Sequence, residues 1–325
     1  MRNILNITNG DCTAGIMEKA NIPGLFLPWR DVLHDGPVLA GLSLEQLSEV
    51  RAEFIIGQGW GEPEHIKRHF IERDNTLKSF EQFEKVILCF EHDLYDQLQI
   101  LQILDWFHQN RRKKTKLSII CVDHYLGMLS PDEMTALFEY EEPVTKSQLE
   151  IANRAWSAFR SKSPENWFAL LKTDTIALPF LQAAIIRMLE EYPGCTNGLS
   201  RTAYQALKII SQGEKRPGKI FACYQESEER RFLGDSSFWE ILHEFLQSSP
   251  PLLKLSDGKT LTLPISLDQE LTISQTGKEV LSGKKNWLEI IELDRWLGGV
   301  HLTADNLWCW DSTSGALIKK LNQVI

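Results

Sequence analysis

Acids and histidines follow each of the four strands that the sequence predicts in its N-terminal half. These side chains bind divalent cations and transfer protons near neutral pH. The residues after the strands are Asp11; Trp29, Arg30, Asp31, His34 and Asp35; Glu91, His92 and Asp93; and Asp123 and His124. Because ligands bind outside the carboxyl ends of strands in open parallel sheets, we expect these side chains to meet at one edge of a sheet.

Asp11, Glu91 and Asp93 are the candidate metal ligands. Their carboxylate oxygens are the ligands that Mg²⁺ and Mn²⁺ prefer, so one such ion is the cofactor that the sequence suggests. Asp11 and Asp93 also precede predicted helices, where an aspartate caps the helix by accepting a bond from a backbone N–H. A metal site and two helix caps are both open interpretations.

His34, His92 and His124 are the candidate catalytic residues, because a histidine can act as general acid or base near neutral pH. Arg30 can hold a phosphate or carboxylate through two parallel hydrogen bonds. The candidate substrate-binding residues are Asn9, Trp29, Arg30, Asp35 and Tyr95. Taken alone, His92 or His124 is more often a structural hydrogen-bonding residue than a ligand or base.

The spacing of these residues matches no specific phosphate-binding or esterase motif. The chain has no G-x-x-x-x-G-K-[ST] loop, no G-x-G-x-x-G after its first strand and no G-x-S-x-G elbow. Asp11 at the start of a helix repels a bare phosphate unless a cation lies between them. The pattern therefore favours a metal or a neutral ligand beside Asp11.

Alternating strands and helices place these residues on an open, mostly parallel, Rossmann-like α/β sheet. Apolar runs predict strands at 4–8, 24–28, 85–90 and 117–122, and apolar periodicity predicts helices at 13–20, 43–56, 63–83 and 94–107. This α/β domain covers residues 1–128. The basic run at 111–116 is explained as a solvated helix end.

A helical linker domain at 129–196 and a winged-helix-like domain at 197–325 complete the predicted architecture. The latter has three helices, near 200–210, 219–225 and 236–246, followed by a β-hairpin at 252–255, 261–263 and 270–273. The third helix presents Phe238, Trp239, Glu240, His243 and Glu244, an acidic and aromatic face that suits protein packing better than a DNA groove. DNA binding stays open but is not favoured.

Composition narrows the class of protein further. The chain has 325 residues and a net charge of −9, and all of the excess acidity lies in residues 1–150, a poor match for non-specific nucleic-acid binding. The start, MRNILNITNGD, lacks the apolar run of a signal peptide, and no window is apolar enough to span a bilayer, so we expect a cytoplasmic protein without membrane contact. The six cysteines include no C-x-x-C pair, which predicts reduced thiols.

Several long segments resemble a bacterial family, the domain of unknown function 1835 (DUF1835) followed by its companion, the domain of unknown function 3658 (DUF3658). They are ITNGD (7–11), LPWRDVLHDGP (27–37), FEHDLYDQLQ (90–99), NGLSRT (197–202), FLGDSSFW (232–239) and DRWLGGVHL (294–302). The resemblance covers nearly the whole chain and implies that NGD, WRDVLH and FEHD are family hallmarks. It assigns them no roles. The family pattern often has a histidine where this chain has Asn6, which argues against a required catalytic group at that position.

Three functions follow as hypotheses. The first is a metal-assisted hydrolase or transferase that acts on a nucleotide or another phosphorylated small molecule at the carboxyl edge of the sheet. The second is a ligand-sensing regulator whose winged helix contacts DNA or a protein partner. The third is a non-catalytic interaction protein in which every acid at a strand end is a helix cap.

Overall fold

The computed structural model describes residues 3–320 except 111, 257, 259, 260 and 262–267. Contacts between residues divide the chain into two units. The first comprises Met1–Ile185 with Gly298–Val300, and the second comprises Ile186–Leu297 with His301–Ile325. The three predicted domains, with boundaries after residues 128 and 196, stay a prediction.

The first unit contains six strands and seven complete helices within the described residues. The strands are β1 (Ile4–Thr8), β2 (Leu25–Pro28), β3 (Gly36–Pro37), β4 (Lys85–Phe90), β5 (Lys116–Cys121) and β6 (Glu142–Pro143). The helices are α1 (Asp11–Lys19), α2 (Leu44–Gly57), α3 (Pro63–Lys78), α4 (Leu94–Gln109), α5 (Pro131–Leu137), α6 (Lys146–Phe159) and α7 (Glu165–Ala169). Helix α8 (Leu181–Leu189) continues into the second unit.

Five of these strands form the main sheet, in the order β2-β1-β4-β5-β6. The first four run parallel, with Thr8 beside Cys89 where β1 pairs β4, and β6 is antiparallel to β5. All five side chains of β1 are buried, and so are five of the six in β4, because helices cover both faces of such a sheet. The α/β fold with a mostly parallel sheet is therefore confirmed.

The chain leaves β1 and β4 toward opposite sides of the sheet. After β1 it crosses to β2, which pairs on the far side of β1, whereas after β4 it crosses to β5, which pairs on the far side of β4. At such a switch in strand order, the two loops separate and leave a crevice between neighbouring carboxyl ends. The crevice lies between the residues that follow Thr8 and those that follow Phe90.

The second unit contains helices α9 (Arg201–Ser211), α10 (Pro217–Ser227), α11 (Asp235–Gln247) and α12 (Gln275–Leu281). Its strands are β7 (Leu253–Leu255), β8 (Leu271–Ile273), β9 (Arg295–Gly298), β10 (Val300–Leu302), β11 (Leu307–Asp311) and β12 (Ala316–Lys320), although β9 and β10 extend into residues of the first unit. Strands β7 and β8 pair antiparallel, as do β11 and β12.

The order of three helices and an antiparallel pair agrees with the predicted elements, while the winged-helix assignment stays a prediction. Of the predicted middle strand at 261–263, residues 262 and 263 lie outside the described residues. Strands β9 to β12 were not predicted from the sequence.

A buried charge cluster in the second unit joins the end of α8, the start of α9 and Glu228, which follows α10. The guanidinium of Arg187 on α8 donates to Glu228 Oε1 and Oε2 (2.8 and 3.0 Å), to Glu191 Oε1 (2.7 Å) and to Thr202 Oγ1 on α9 (2.8 Å). Arg187 is only 8% exposed, and the side chain of Glu228 is fully buried. Burial alone lowers the pKa of Arg187, but the two glutamates outweigh that effect and raise it.

No helix within the described residues is both long enough and apolar enough to cross a membrane.

Candidate functional site

Three buried carboxyl groups meet at the crevice between β1 and β4. Glu91 and Asp93 follow β4, and Asp96 lies in the first turn of α4. Each supplies one oxygen, and these three oxygens lie within 4.8 Å of one another. The three side chains belong to residues that are 5%, 4% and 0% exposed, respectively.

Asn9, which follows β1, ties this carboxyl cluster (Glu91, Asp93 and Asp96) to the neighbouring strand end. Its side-chain amide donates to Glu91 Oε1 (3.0 Å) and to Asp96 Oδ1 (3.1 Å). Backbone amides complete the arrangement: Leu126 N donates to Glu91 Oε1 (2.8 Å) and Glu91 N donates to Asp96 Oδ2 (2.5 Å). Of the side chains predicted to meet at this edge, Glu91 and Asp93 lie in the cluster, and from β1 it is Asn9 and not Asp11 that joins them.

Asp93 also caps α4, because its Oδ1 accepts from the backbone N of Asp96 (3.1 Å). This is the helix-cap interpretation that the sequence offered for Asp93, and it coexists with membership of the carboxyl cluster. A carboxylate oxygen has two lone pairs, so accepting one N–H leaves it able to bind a cation.

The negative charge of the cluster is poorly compensated. Burial raises the pKa of all three carboxyl groups, and their mutual repulsion raises the pKa of Asp93 and Asp96 further. Among the residues that the structure describes, no lysine or arginine forms an ion pair with any of them. Three carboxylates at this spacing therefore need protons or a cation to be stable in a buried position.

Asp93 has the most clearly assigned shift of the three carboxyl groups. The nearby Glu91 raises the pKa of Asp93, and Asp93 lowers the pKa of Glu91 against the larger upward effect of burial. Burial and the nearby Glu91 together raise the pKa of Asp93 to about 8. We therefore expect Asp93 to hold a proton at neutral pH.

Asp93→Asn is expected to flatten the pH dependence of stability when divalent cations are removed with a chelator. Between the unfolded pKa of about 4 and the folded pKa, the native state holds a proton that the unfolded state has lost, so stability falls as pH rises, by up to about 1.4 kcal/mol per pH unit. Asparagine mimics the protonated acid and still caps the helix. The variant should match the wild type at about pH 4 and exceed it by a growing margin as the pH rises toward 8, as measured by urea unfolding at each pH.

Asp123→Asn is the control for this experiment, because Asp123 is an exposed acid at the next strand end. Its stability curve should run parallel to the wild-type curve. Parallel curves for Asp93→Asn as well would show that Asp93 is ionised in the folded protein at neutral pH.

Asp11 lies outside the carboxyl cluster. Its exposed carboxylate accepts two hydrogen bonds from Arg30, one from Nε (2.7 Å) and one from Nη2. The hydrogen bonding with Arg30 is the largest cause that lowers the pKa of Asp11. His65 and His69 on α3 are close enough to contribute to the same shift. Arg30 has a left-handed backbone (φ 56°), which is uncommon for a residue with a side chain. The two candidates form a surface pair with each other.

Trp29 and Asp31 of the WRDVLHD segment are buried in a polar network away from solvent. Trp29 Nε1 donates to Gln102 Oε1 (2.8 Å), and the Arg73 guanidinium stacks on the Trp29 ring at 4.2 Å. Asp31 Oδ1 accepts from Arg51 Nε (2.9 Å), and Asp31 Oδ2 lies 3.7 Å from Arg73 Nη1. Asp31, Arg51 and Arg73 are at most 1% exposed. This network connects the loop after β2 to α2 and α3.

His34, Tyr95 and Asp35 form a second group of candidates. The His34 ring is buried and meets the Tyr95 ring edge-on with centroids 6.0 Å apart, and its Nε2 lies 3.9 Å from Asp35 Oδ2. Tyr95 lies in the first turn of α4, directly after Asp93 and Leu94. The three side chains therefore adjoin the helix end that carries the carboxyl cluster.

His92 and His124 occupy different environments. His92 is buried, with Tyr125 and Phe180 ring centroids at 5.1 and 5.9 Å. His124 is exposed, and its Nδ1 lies 2.8 Å from Asp123 Oδ1. Of the two, His92 lies between the two cluster acids Glu91 and Asp93 in sequence and shares their burial.

Sequence reasoning missed three residues that organise this region: Asp96, Arg51 and Arg73. Asp96 is not among the candidate residues named from the sequence, yet it is a full member of the carboxyl cluster. The signal for Asp96 was its position three residues after Asp93, since a side chain in the first turn points back toward the helix start. No local pattern marked the two arginines.

The exposed face of α11 is acidic within the described chain. It carries Asp235, His243, Glu244 and Gln247 at exposed positions and no lysine or arginine. A helix that enters a DNA groove needs basic and amide side chains, so this face is a poor match for DNA.

Neither a family model nor a curated protein matches this chain. The resemblance to the families of domains 1835 and 3658 stays a prediction.

Proposed function

We propose that the protein is a metal-assisted hydrolase or transferase that acts on a nucleotide or another phosphorylated small molecule. The observation that carries the proposal is the buried carboxyl cluster of Glu91, Asp93 and Asp96 at the switch in strand order between β1 and β4. Open α/β sheets bind their ligands in that crevice.

The donor set suits a hard divalent cation such as Mg²⁺ or Mn²⁺. Oxygens that share an ion at metal–oxygen distances of about 2.1–2.4 Å lie no more than about 4.8 Å apart, and the three cluster oxygens meet this limit. A cation would also neutralise the charge that no described arginine or lysine balances. Once bound, such an ion would polarise a phosphoryl oxygen and offset the charge of the substrate.

The remaining roles belong to side chains of the chain itself. Asn9 positions Glu91 and Asp96 through its two donated bonds. Arg30 is the candidate phosphate ligand, because its guanidinium already holds a carboxylate in the two-bond geometry that a phosphate uses. His34 and His92 are the candidate acid–base residues, since both lie close in the chain or in space to the acids at this edge.

Direct titration with Mn²⁺ tests the cation site. Electron paramagnetic resonance of free Mn²⁺ should report one binding site per wild-type chain, and Asp93→Asn and Asp96→Asn should each weaken binding by at least about tenfold because each removes a charged ligand. Asp123→Asn, which removes an exposed acid outside the cluster, should bind as the wild type does. Equal binding by all four proteins would rule out the cluster as the site.

Turnover is tested separately on the Mn²⁺-loaded protein. Phosphate or phosphorylated product should be released from members of a panel of nucleotides and sugar phosphates by the wild type and not by Asp96→Asn. Cation binding without turnover, but with tight binding of a panel member, would favour the alternative of a ligand-sensing regulator. Because the exposed face of α11 is acidic, the partner of such a regulator would be a protein and not DNA.

A further inference from the structure

A cavity of about 370 Å³ lies within the second unit, lined mainly by the second half of α11 and by the segment 287–295. The buried part of its lining is mainly apolar: Ile241 and Phe245 of α11 and Trp287 of the facing segment are at most 8% exposed. The rings of Phe245 and Trp287 meet edge-on with centroids 5.4 Å apart. This size and this lining are typical of sites that bind small organic molecules.

Backbone contacts hold the walls of the cavity in place. Trp287 N donates to Asn197 O (2.7 Å), and Leu252 N donates to Phe245 O (2.9 Å) just after α11 ends. Gly198, which also lines the cavity, has a left-handed backbone (φ 74°), and a Cβ at this position would collide with the Asn286 side chain. The two walls are therefore fixed by the fold, and the cavity does not depend on a ligand to form.

The rim of the cavity carries more acid than base. Its described lining includes three exposed carboxylates and one basic side chain, namely Glu244, Glu292, Asp294 and Arg295. The Arg295 guanidinium lies 3.5 Å from the buried carboxylate of Glu191, and Asp294 pairs with His301. No described lysine, arginine or histidine forms an ion pair with Glu292. The rim is therefore electronegative, and it favours a ligand with a positive charge.

The start of α9 also borders the cavity through Ser200 and Ala203. A helix start can hold an anion through its first backbone amides. Here Arg201 N donates to Glu190 O (2.8 Å) and Ala203 N donates to Ser200 Oγ (3.1 Å), so these amides are already used within the fold. This helix start therefore does not reverse the preference of the rim for a cation.

We infer that this cavity binds a small organic amine, protonated at neutral pH and attached to an aromatic or aliphatic body. The body packs against Ile241, Phe245 and Trp287, and the ammonium group lies at the rim, where Glu244 and Glu292 attract it. The cavity shares no residue with the carboxyl cluster. The inference is therefore independent of the proposed function, and either can fail without the other.

NMR spectroscopy of the full-length chain tests the inference, because the indole N–H signal of Trp287 reports on the cavity. Trp287→Phe identifies that signal by its loss. Three ligands that share one aromatic body are compared: phenethylamine, phenethyl alcohol and phenylacetate. Phenethylamine should shift the Trp287 signal and bind about five- to tenfold more tightly than the alcohol, and high salt should reduce this advantage. Phenylacetate should leave the signal unchanged.

Substitutions at the rim test the role of its charge without disturbing the core. Glu244→Gln and Glu292→Gln change exposed side chains, and each should weaken phenethylamine binding about two- to fivefold while leaving the alcohol unaffected. Asp235→Asn is the matched control, because Asp235 is an exposed acid on α11 outside the cavity lining. It should bind all three ligands as the wild type does.

Several results would overturn the inference. Equal affinities for the amine and the alcohol would show that the rim does not select a charge, and tighter binding of phenylacetate would assign the cavity to anions. Phenethylamine that leaves the Trp287 signal unmoved, or that binds equally well to Glu244→Gln and Glu292→Gln, would not be bound at this rim.

Discussion

Arg187→Met is expected to lower the free energy of unfolding of the second unit by about 3–5 kcal/mol. Arg187 is the shared partner of two buried glutamates, Glu191 and Glu228, and it also binds Thr202. Methionine fills a similar volume but leaves both carboxylates buried without their main cation. Most of the lost stability comes from burying two carboxylates without their main cation, and less comes from the lost contacts of the Arg187 side chain.

Lower pH should reduce this cost. Burial raises the pKa of Glu191, but Arg187 and Arg295 outweigh burial and hold it below its usual value. The stability that this carboxylate contributes is present above its unfolded pKa of about 4.3 and is lost as pH falls through the lower folded pKa. Without Arg187 the glutamates take up protons more readily, so the difference between variant and wild type should shrink near pH 4.

Hydrogen exchange followed by mass spectrometry locates the effect. The amides of α9 should exchange faster in Arg187→Met, while those of β1 and β4 in the first unit keep their wild-type rates. Arg201→Met is the comparison variant: Arg201 contacts Glu190 and Glu229 from a half-buried position and lies 3.7 Å from Glu228. Because Glu228 keeps Arg187 as its closer partner, the loss of Arg201 should cost about 1 kcal/mol. Equal losses for the two variants would contradict a special role for the buried cluster.

Asp31→Asn should destabilise the first unit by a similar amount, about 3–5 kcal/mol. Asp31 is the carboxylate that faces two fully buried arginines, Arg51 and Arg73, and an amide of the same shape supplies no charge. Arg73 keeps Asp74 and Ser48, whereas the other hydrogen-bond acceptors of Arg51 among the described residues are the backbone carbonyls of Val32, Asp35 and Pro37. Urea unfolding at neutral pH measures the loss.

Asp11→Asn serves as the comparison for Asp31→Asn. The Asp11 side chain is 68% exposed and its pair with Arg30 is screened by water, so its removal should change stability by less than about 1 kcal/mol. If Asp31→Asn were as mild as Asp11→Asn, the buried network would not be what holds the loop after β2. If Asp31→Asn loses much stability but binds Mn²⁺ as the wild type does, the WRDVLHD segment has a mainly structural role.

Apolar runs predicted the strands of the main sheet well, because a strand that is buried on both faces is a continuous run of apolar residues. The limits of β1 and β4 were predicted to the residue, and the helix predicted from residue 43 begins one residue later, with Ser43 as its N-cap. The fifth strand of the main sheet escaped notice because β6 has only two residues, Glu142 and Pro143, both exposed. Such a segment shows neither alternation nor an apolar run.

The position of the site was predictable, but the partners of its side chains were not. Topology alone brings Asn9 and Glu91 together, since they follow adjacent parallel strands. Asp11 pairs with Arg30 and does not join them. The left-handed backbone conformation of Arg30 could not be predicted from the residues around it. The arginines that neutralise Asp31 come from helices distant in sequence, so only the packed structure shows them.

The two borders of the main sheet carry a further consequence. β2 and β6 lie at its outer margins with four and two residues, and each finishes in a proline, Pro28 and Pro143. Proline has no N–H to offer an approaching strand, and such short borders present few open groups for pairing. The sheet is thereby protected from growth by addition of foreign strands, which guards concentrated protein against ordered aggregation.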